Sequence, residues 1–347
     1  MFRKPKFGII LILIVMVALA GGCSAPATSN PAPAEEPKEQ TPVTLKLAHG
    51  LSPVDIHGKA YQFYADKVAE LSEGSIQIEV FPGGSLAGNP QMFKAVQTGV
   101  ADIGIFPSSF VAPQMKEVTI FEIPGTFDPT KVPEVQAKIT PIMEKIHEKY
   151  GMKYLWATAE GELVLGVSKK IGAPIKSIDE IKGLKIRDYG QWIGRTLGAW
   201  GAVQTTIPPA DLNAALDRGT VEGSLASWSF SYGFKVHEQA PYFTLFGTNN
   251  MWHWATISEA SWTKLTPEQQ QVLVDAGKLA MEYNIKLEAE DKELFKKAVT
   301  DVGGSIYELT AEERAQFVDK AAPLVKDVRE ISGTEGNELI DILESIK

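Results

Sequence analysis

Strand and helix patterns alternate at the start of the folded part of the chain, and this alternation limits the folds that are available to it. The stretch "VTLKLAHG" from Val43 alternates as a strand does, and "SIQIEVFP" and "VADIGIF" are two further predicted strands. Between them, "GKAYQFYADKVAELSEG" and "NPQMFKAVQTG" are predicted helices, the second with Asn89 as its cap and Pro90 in its first turn. Such repeats pair their strands in parallel and pack helices on the sheet faces, so we expect an α/β fold.

A weaker repeat of this sequence pattern occurs in the second half of the chain. "AVQTGVADIG" begins at Ala95 and "ALDRGTVEGS" begins at Ala215, and each places a glycine and then an acid after a helical stretch. Each is preceded by a strand that ends in proline, in "VFP" and in "TIP". Because 347 residues exceed one ordinary hydrophobic core, we expect two lobes of similar local architecture.

The segments between and after the two repeats are predicted to join the lobes. A helix is expected around Val132 to Lys149, followed by two strands, "MKYLWATAE" and "ELVLGVSKK". A long helix is expected after Thr266, with Thr266 as cap, Pro267 first and Gln269 third, and it meets no breaker before Gly303. At 1.5 Å per residue it would extend roughly 50 Å, long enough to contact both lobes.

The start of the chain has the pattern of an export signal. Residues 1–22 contain a basic start, the apolar run "GIILILIVMVALA" and small residues before Cys23, the only cysteine in the sequence. The position of Cys23 after "ALAGG" resembles the lipobox of bacterial lipoproteins, so we expect lipidation at Cys23, the alternative being an ordinary secretory signal with an incidental cysteine. Residues 23–42 are rich in Pro, Ala and acidic residues and are predicted to be a disordered tether. The protein is thus expected to be extracytoplasmic and held at the membrane by its N-terminal lipid.

Charge and motifs argue against several classes of function. The formal net charge is −9, and it becomes −12 without the three positive charges before Cys23, which argues against a nucleic-acid partner. His147 and His237 are each followed by Glu, but neither fits the His-Glu-x-x-His zinc pattern, and no nucleophile elbow or phosphate-binding glycine loop is present. We therefore predict no enzyme, no cofactor and no metal. An acid–base site built from Asp, Glu and His would leave no linear motif, so that alternative stays open.

The residues that remain are suited to recognition. Arg187 ends the predicted strand in "GLKIRDYGQW", and ligands of open α/β sheets gather at the carboxyl ends of the strands. A guanidinium there would hold a carboxylate through two charge-assisted hydrogen bonds. The alternative is that Arg187 pairs with Asp188 or with an acid on the surface.

Aromatic residues form a second group of candidates. "SWSFSYGF" places Trp228 and its neighbours at alternate positions, and "NNMWHWATIS" places Trp252 and Trp254 on one face of a strand. Core packing is the simpler interpretation, but the adjacent polar residues also suit a partly apolar ligand pocket. His49 ends the first strand and Ser108 follows the third, and both are candidates at the same edge, although for each a structural role is the simpler interpretation.

Several stretches together resemble the solute-binding proteins of TRAP transporters. They are "LKLAHGLSPVDIHGKAYQFYADKVAELSEGSIQIEVFPGGSLAGNPQMFKAVQTGVADIGI", "IKGLKIRD", "ADLNAALDRGTVEG" and the long helix after "KLTPEQQQVL", and they extend from Val43 almost to the C-terminus. The resemblance implies a two-lobe periplasmic-binding-protein-like fold with a hinge and a long helix shared by both lobes. It also implies capture of an organic acid and its delivery to TRAP membrane subunits driven by an ion gradient.

The resemblance also implies roles for individual residues. Arg187 occupies the position of the arginine that grips the ligand carboxylate. The other positions that it implies in the ligand cleft are His49, Ser108, Gln191, Trp228, Asn250 and Trp252. Where sialic-acid-type members can carry a second arginine, this chain has Leu163, Val164 and Leu165. A monocarboxylate with a less polar, aromatic or branched body is therefore expected.

These observations lead to one domain plan and one main hypothesis. The plan is a signal at 1–22, a tether at 23–42, lobe I at 43–160, lobe II at 161–255 and C-terminal segments spanning both lobes at 256–347. The hypothesis is carboxylate capture for a TRAP permease. The alternatives are a lipoprotein receptor for an ATP-driven importer or chemosensor, and an exported hydrolase or lyase.

Overall fold

The strands of the chain form one mixed sheet. The computed structural model describes residues 42–346, except for the side chain of Asn250. Within these residues the sheet has nine strands in the order β2-β1-β3-β8-β4-β7-β5-β6, and β9 pairs with β8. The strands are β1 (Val43–His49), β2 (Ile76–Phe81), β3 (Ile103–Pro107), β4 (Met152–Val167), β5 (Lys185–Asp188), β6 (Val203–Thr206), β7 (Gly223–Ser227), β8 (Tyr242–Ser258) and β9 (Ser305–Glu308).

Helices cover the sheet and extend the fold at its C-terminal end. The helices of the described residues are α1 (Ile56–Leu71), α2 (Asn89–Gln97), α3 (Ser108–Val111), α4 (Val132–Glu148), α5 (Ile178–Ile181), α6 (Gln191–Ala199), α7 (Leu212–Asp217), α8 (Trp228–Gly233), α9 (Val236–Gln239), α10 (Glu259–Trp262), α11 (Pro267–Asp301), α12 (Ala311–Ala321), α13 (Pro323–Ile331) and α14 (Gly333–Glu344). Short 3₁₀ segments occupy Lys116–Glu122 and Pro209–Asp211. The predicted α/β class is confirmed.

The two units that contain the repeated sequence pattern have the same strand topology. β1 pairs in parallel with β2 on one side and with β3 on the other. β5 does the same with β6 and β7. The last strand of each unit then pairs antiparallel with a long strand, β3 with β8 and β7 with β4. The repeated sequence pattern thus corresponds to two lobes with the same local strand topology.

Two long strands connect the lobes. The stretches predicted as separate strands, "MKYLWATAE" and "ELVLGVSKK", form the single 16-residue strand β4, so that prediction was wrong. β4 pairs with the 17-residue β8 along most of its length, and the register shifts between Glu160 and Glu162 and between Glu162 and Val164. The continuous pairing carries the chain across both lobes, because the irregular positions shift the register without ending the strand.

The long helix α11 contacts both lobes, as predicted. It has 35 residues and begins with the expected capping box of Thr266 and Gln269. Its first half packs Leu273 against the β1 and α1 side of the sheet, whereas Phe295 packs with the core beneath α8 and β8. One predicted cap was wrong, because α2 includes Asn89 as its first residue and Gly88 precedes it as N-cap without a side-chain bond.

Candidate functional site

A cavity of about 350 Å³ lies where the carboxyl ends of the parallel strands meet. Its wall includes residues that directly end or follow β1, β3, β5, β6 and β7, which is the edge where open α/β sheets bind ligands. Both lobes and both long strands contribute to the wall. The lining residues are Gly50, Leu51, Asn89, Pro107, Phe110, Glu160, Arg187, Tyr189, Thr206, Ile207, Pro208, Pro209, Ala226, Ser227, Phe230, Phe234, Met251 and His253.

Arg187 lines this cavity as a buried cation. Its residue is 3% exposed, Nε donates to the carbonyl oxygen of Ile207 at 3.1 Å, and Nη1 has no hydrogen-bond partner. Burial lowers its pKa, and the neighbouring Tyr189 and Asp188 act in the opposite direction. Arginine still remains protonated in proteins. The guanidinium therefore brings a positive charge and an unused donor to the wall of the cavity.

No acid neutralises Arg187 by direct contact in the described part of the chain. The arginines that form ion pairs there are Arg195 and Arg329. Asp188, which the sequence offered as a partner, instead accepts a hydrogen bond from Thr206 Oγ1 at 2.8 Å. A buried charge without a partner is costly. The site is thus arranged to receive an anionic group.

Aromatic rings form much of the remaining wall. The guanidinium carbon of Arg187 lies 4.9 Å from the ring centroid of Phe230 and 6.0 Å from that of Tyr189. Phe230 is stacked on Phe234 with a centroid distance of 4.4 Å. Phe110 and Phe234 remain exposed at 38% and 46%, so apolar surface extends to the rim. These rings favour a ligand with an apolar body next to its charged end.

Glu160 contributes an acid to the same cavity. Its Oε1 accepts from Ser227 Oγ at 2.6 Å and from Ser229 Oγ at 3.3 Å, and Oε2 lies 3.4 Å from Nε2 of His253. Burial raises the pKa of Glu160, but the approach of His253 Nε2, the charge of His57 and the hydrogen bond from Ser227 outweigh it and lower the pKa. Glu160 is therefore ionised near neutral pH.

His253 is held between Glu160 and Tyr61. Its Nδ1 lies 2.6 Å from Tyr61 Oη. Burial lowers the pKa of His253, and Glu160 only partly offsets this effect. When Tyr61 donates to Nδ1, the proton of the neutral ring lies on Nε2, which faces Glu160. The histidine consequently positions the Glu160 carboxylate without neutralising its charge.

A second buried group of ionisable residues lies behind His253. The rings of His57 and His253 are 5.1 Å apart between centroids. His57 places Nδ1 3.2 Å from Asp55 Oδ1 and Nε2 3.0 Å from Glu288 Oε1. Burial lowers the pKa of His57, but the two carboxylates outweigh burial and raise it well above its ordinary value. A charged His57 thus connects α1 with the shared helix α11.

The two tryptophans predicted to lie in the ligand cleft are located elsewhere. Trp252 is fully buried in the core, with its ring 5.5 Å from Trp254 and 5.3 Å from Phe121 between centroids. Trp228 lines a different cavity and packs toward Phe295 at 6.3 Å. We therefore correct the prediction and do not assign Trp228 or Trp252 to the cavity that contains Arg187.

Three polar candidates lie next to the cavity and not on its wall. His49 is buried and its Nδ1 accepts from the Leu51 amide at 3.3 Å, while Gly50 and Leu51 line the cavity in its place. Ser108 is buried and donates to Glu122, while its neighbour Pro107 lines the wall. Gln191 lines a separate cavity of about 500 Å³ together with Glu122. The structure thus does not bring these three side chains to Arg187.

Two further predicted residues have no described side chain. Asn250 pairs through its backbone with Glu162 in the β4–β8 ladder, but its side chain lies outside the described residues. Cys23, the predicted lipidation site, also lies outside the described part of the chain, as do the predicted signal and nearly all of the tether. The roles of both residues remain predictions.

Sequence reasoning missed the polar residues that share the cavity with Arg187. On β8, the alternation that placed Trp252 and Trp254 on one face also placed His253 on the other, and it is the His253 face that borders the cavity. Residues 228–233 form a helix, so Trp228 and Phe230 are about 200° apart around its axis and face opposite directions. The spacing showed which residues share a face, but only the packing showed which face borders the cavity.

Glu122, the partner of Ser108, is expected to give the protein a measurable pH dependence. Burial raises its pKa from 4.5 to about 7, although the hydrogen bond from Ser108 lowers it. The folded state then binds more protons than the unfolded state between these values, so Glu122 lowers stability as pH rises through that window. Glu122→Gln should therefore stabilise the protein relative to wild type more at pH 8 than at pH 4.5, as measured by urea unfolding.

A matched control for this experiment is Glu134→Gln, because Glu134 is an exposed acid on α4. Its effect on stability should be similar at the two pH values. Equal effects of Glu122→Gln at both pH values would contradict the assignment of a raised pKa to the buried Glu122.

Residues 42–346 lack two kinds of feature. They contain no helix that is both long and apolar enough to cross a membrane. The same residues contain no group of three or more His, Cys, Asp or Glu side chains positioned to hold a metal ion.

The chain is similar to known binding proteins along most of its length. Residues 47–331 match the family described as "Bacterial extracellular solute-binding protein, family 7". The C4-dicarboxylate-binding periplasmic protein DctP of Rhodobacter capsulatus is 23% identical over 334 residues, which cover 92% of this chain and 95% of that protein. The similarity is therefore not confined to one motif or one lobe.

Solved structures show the same fold. A TRAP periplasmic solute-binding protein from Ochrobactrum anthropi is 25% identical, with a TM-score of 0.80 and coverage of 89% of this chain and 97% of that chain. The sugar acid binding protein DctPAm from Advenella mimigardefordensis, solved in complex with galactonate, is 23% identical, with a TM-score of 0.75 and coverage of 88% and 99%.

Proposed function

Since the chain belongs to bacterial extracellular solute-binding protein family 7, the solute-binding proteins of TRAP transporters, we propose that it captures a small organic acid and delivers it to TRAP membrane subunits. The cavity at the strand ends is the proposed binding site. Arg187 holds the carboxylate, and the rings of Phe230, Phe234 and Tyr189 contact the body of the ligand.

The observation that carries this proposal is the state of Arg187. The guanidinium is buried, it has no acid within ion-pair distance among residues 42–346, and Nη1 is free to donate. A carboxylate matches this planar donor group in both charge and geometry. Where a second arginine would stand, Leu163, Val164 and Leu165 are buried in the core. One carboxylate is therefore anchored by arginine.

Closure of the lobes couples to binding in this proposal. The cavity is lined by Leu51 and Phe110 from the first lobe and by Arg187 and Phe230 from the second. A ligand that contacts both walls binds the closed arrangement more strongly than an open one, and this difference shifts the population toward closure. The irregular β4–β8 pairing around Glu162 is the proposed hinge.

The protein is further proposed to act outside the cytoplasm as a lipoprotein. The support is the N-terminal sequence, in which a basic and apolar segment precedes Cys23. Acylation of Cys23 would keep the binding domain close to the TRAP membrane subunits. Metabolic labelling with a fatty-acid analogue should label wild type and leave Cys23→Ser unlabelled. Equal labelling of both proteins would contradict this part of the proposal.

The proposed function predicts a recoverable ligand. Mass spectrometry of small molecules released from the purified protein should identify a carboxylic acid that is recovered unmodified, because a binding protein does not transform its cargo. Adding that acid to stripped protein should reduce the radius of gyration in small-angle X-ray scattering. Conversion of the acid into a product would favour the hydrolase or lyase alternative, and an unchanged radius would contradict capture by closure.

A further inference from the structure

Two opposite charges line the same cavity without pairing with each other. Arg187 forms no ion pair with an acid in the described part of the chain, and the only basic group recorded within 4.0 Å of Glu160 there is His253. Both residues border the same 350 Å³ space. The guanidinium of Arg187 and the carboxylate of Glu160 are therefore available to one ligand at the same time.

The surroundings of Glu160 keep its charge in place. The side chain is 12% exposed, so water solvates it only slightly. Ser227 and Ser229 both donate to Oε1, which fixes the carboxylate and leaves Oε2 with the longer 3.4 Å approach of His253. A carboxylate oxygen has room for a further donor. Glu160 can thus accept a hydrogen bond from a ligand group within the cavity.

We propose that the ligand is a zwitterion, an organic acid that also carries a protonated nitrogen, with its carboxylate on Arg187 and its nitrogen on Glu160. This inference rests on the proposed function, because it takes the same cavity as the binding site. The ligand would pair both charges while remaining neutral overall. Its apolar part would lie against Phe230 and Phe234.

Other classes of ligand match the cavity less well. A dicarboxylate would bring its second negative charge into a cavity that contains Glu160, and like charges in a poorly solvated site repel strongly. An acid with a purely apolar body would satisfy Arg187 but would leave Glu160 desolvated without a new partner. A protonated nitrogen forms a charge-assisted bond with the carboxylate, so the zwitterion satisfies both charged groups.

The test compares pairs of ligands that differ only in the amino group. The probes are L-leucine with 4-methylpentanoate, L-phenylalanine with 3-phenylpropanoate, and 5-aminopentanoate with pentanoate, titrated by isothermal calorimetry. Wild type should bind at least one amino acid about tenfold or more tightly than its partner. Glu160→Gln should remove this preference by weakening the amino acid about tenfold or more while changing the plain acid less than about threefold.

A matched control is Glu117→Gln. Glu117 is a buried acid, but it pairs with Lys149 at 2.6 Å and does not line the cavity that contains Arg187. This variant should keep the preference of wild type. The preference of wild type for the amino acid over the plain acid is measured without any variant. The proposal therefore stays testable even if Glu160→Gln folds poorly.

The outcomes separate this inference from the proposed function. If wild type prefers the plain acids, or if Glu160→Gln weakens both members of a pair equally, the zwitterion is excluded while carboxylate capture by Arg187 stands. If neither series binds at millimolar concentration, the zwitterion is again overturned, and recovery of a carboxylic acid from the purified protein then decides whether the proposed function survives.

Discussion

Replacing Arg187 with alanine is expected to weaken binding of the organic acid about a hundredfold or more, a loss of roughly 2 to 3 kcal/mol. The reason is that the carboxylate would remain in a buried cavity without its cation, while the aromatic wall would be unchanged. Arg187→Lys should retain part of the affinity, because it restores the charge but not the planar pair of donors. Calorimetry with the acid recovered from the protein measures both variants.

Arg195→Ala is the matched control for this experiment. Arg195 lies on α6 of the same lobe, but it pairs with Asp327 and lines the separate cavity that contains Gln191. Its replacement should leave affinity within about threefold of wild type, as expected for an ion pair whose two side chains are each partly exposed. If Arg187→Ala bound the acid as well as Arg195→Ala does, the role assigned to Arg187 would be wrong.

Replacing His57 with alanine is expected to lower the free energy of unfolding by about 3 kcal/mol. The substitution would leave the carboxylates of Asp55 and Glu288 close to each other without the imidazolium between them. Because the folded pKa of His57 is raised, its contribution is fully present below about pH 6.5 and is lost as pH rises through the folded value. Guanidinium unfolding at pH 6 gives the most direct measurement.

Two comparisons make the result for His57 interpretable. Lys278→Ala removes an exposed ion pair with Asp275 on the same long helix and should cost less than about 1 kcal/mol. The double variant His57→Ala with Glu288→Gln should be more stable than His57→Ala alone, because it removes the buried carboxyl of Glu288 that has lost its partner. A loss below about 1 kcal/mol for His57→Ala would contradict the buried ion-pair arrangement.

Ionisable side chains connect several elements in the region between the lobes. His253 contacts Tyr61 from α1, and its Nε2 lies 3.4 Å from Glu160 on β4. His57 connects α1 to Glu288 on α11. The Glu160 carboxylate, which is proposed to receive the nitrogen of the ligand, is consequently positioned by Ser227 of the second lobe and, through His253, by Tyr61 of the first lobe.

Much of the fold could be predicted from local patterns. The strand and helix periods around Val43 led to the parallel pairing of β1, β2 and β3, and the weaker repeat of the pattern at Ala215 led to a second unit of the same topology. The Thr266 capping box marked the start of the long helix. Local patterns did not reveal that β4 is continuous, because Glu160 and Gly161 interrupt the apolar pattern without ending the strand.

Less of the candidate site could be predicted. Arg187 followed from its position at a strand end, a place that ligand sites in α/β sheets favour. Trp228 and Trp252 had suitable chemistry but pack away from the cavity, since a pattern of spacing shows which residues share a face and not what that face contacts. Glu160 and His253 are distant in the chain, and they meet only because β4 and β8 pair.

By itself, the sequence determined the class of the fold, the two similar units and the long shared helix, and it selected Arg187 as a candidate, because these depend on local periodicity, capping and position at a strand end. The tertiary structure alone decided that Glu160 and His253 face Arg187 across one cavity, and that the tryptophans belong to the core. The physical reason is that the register of β4 on β8, and the packing of α8, set which faces point toward the ligand space.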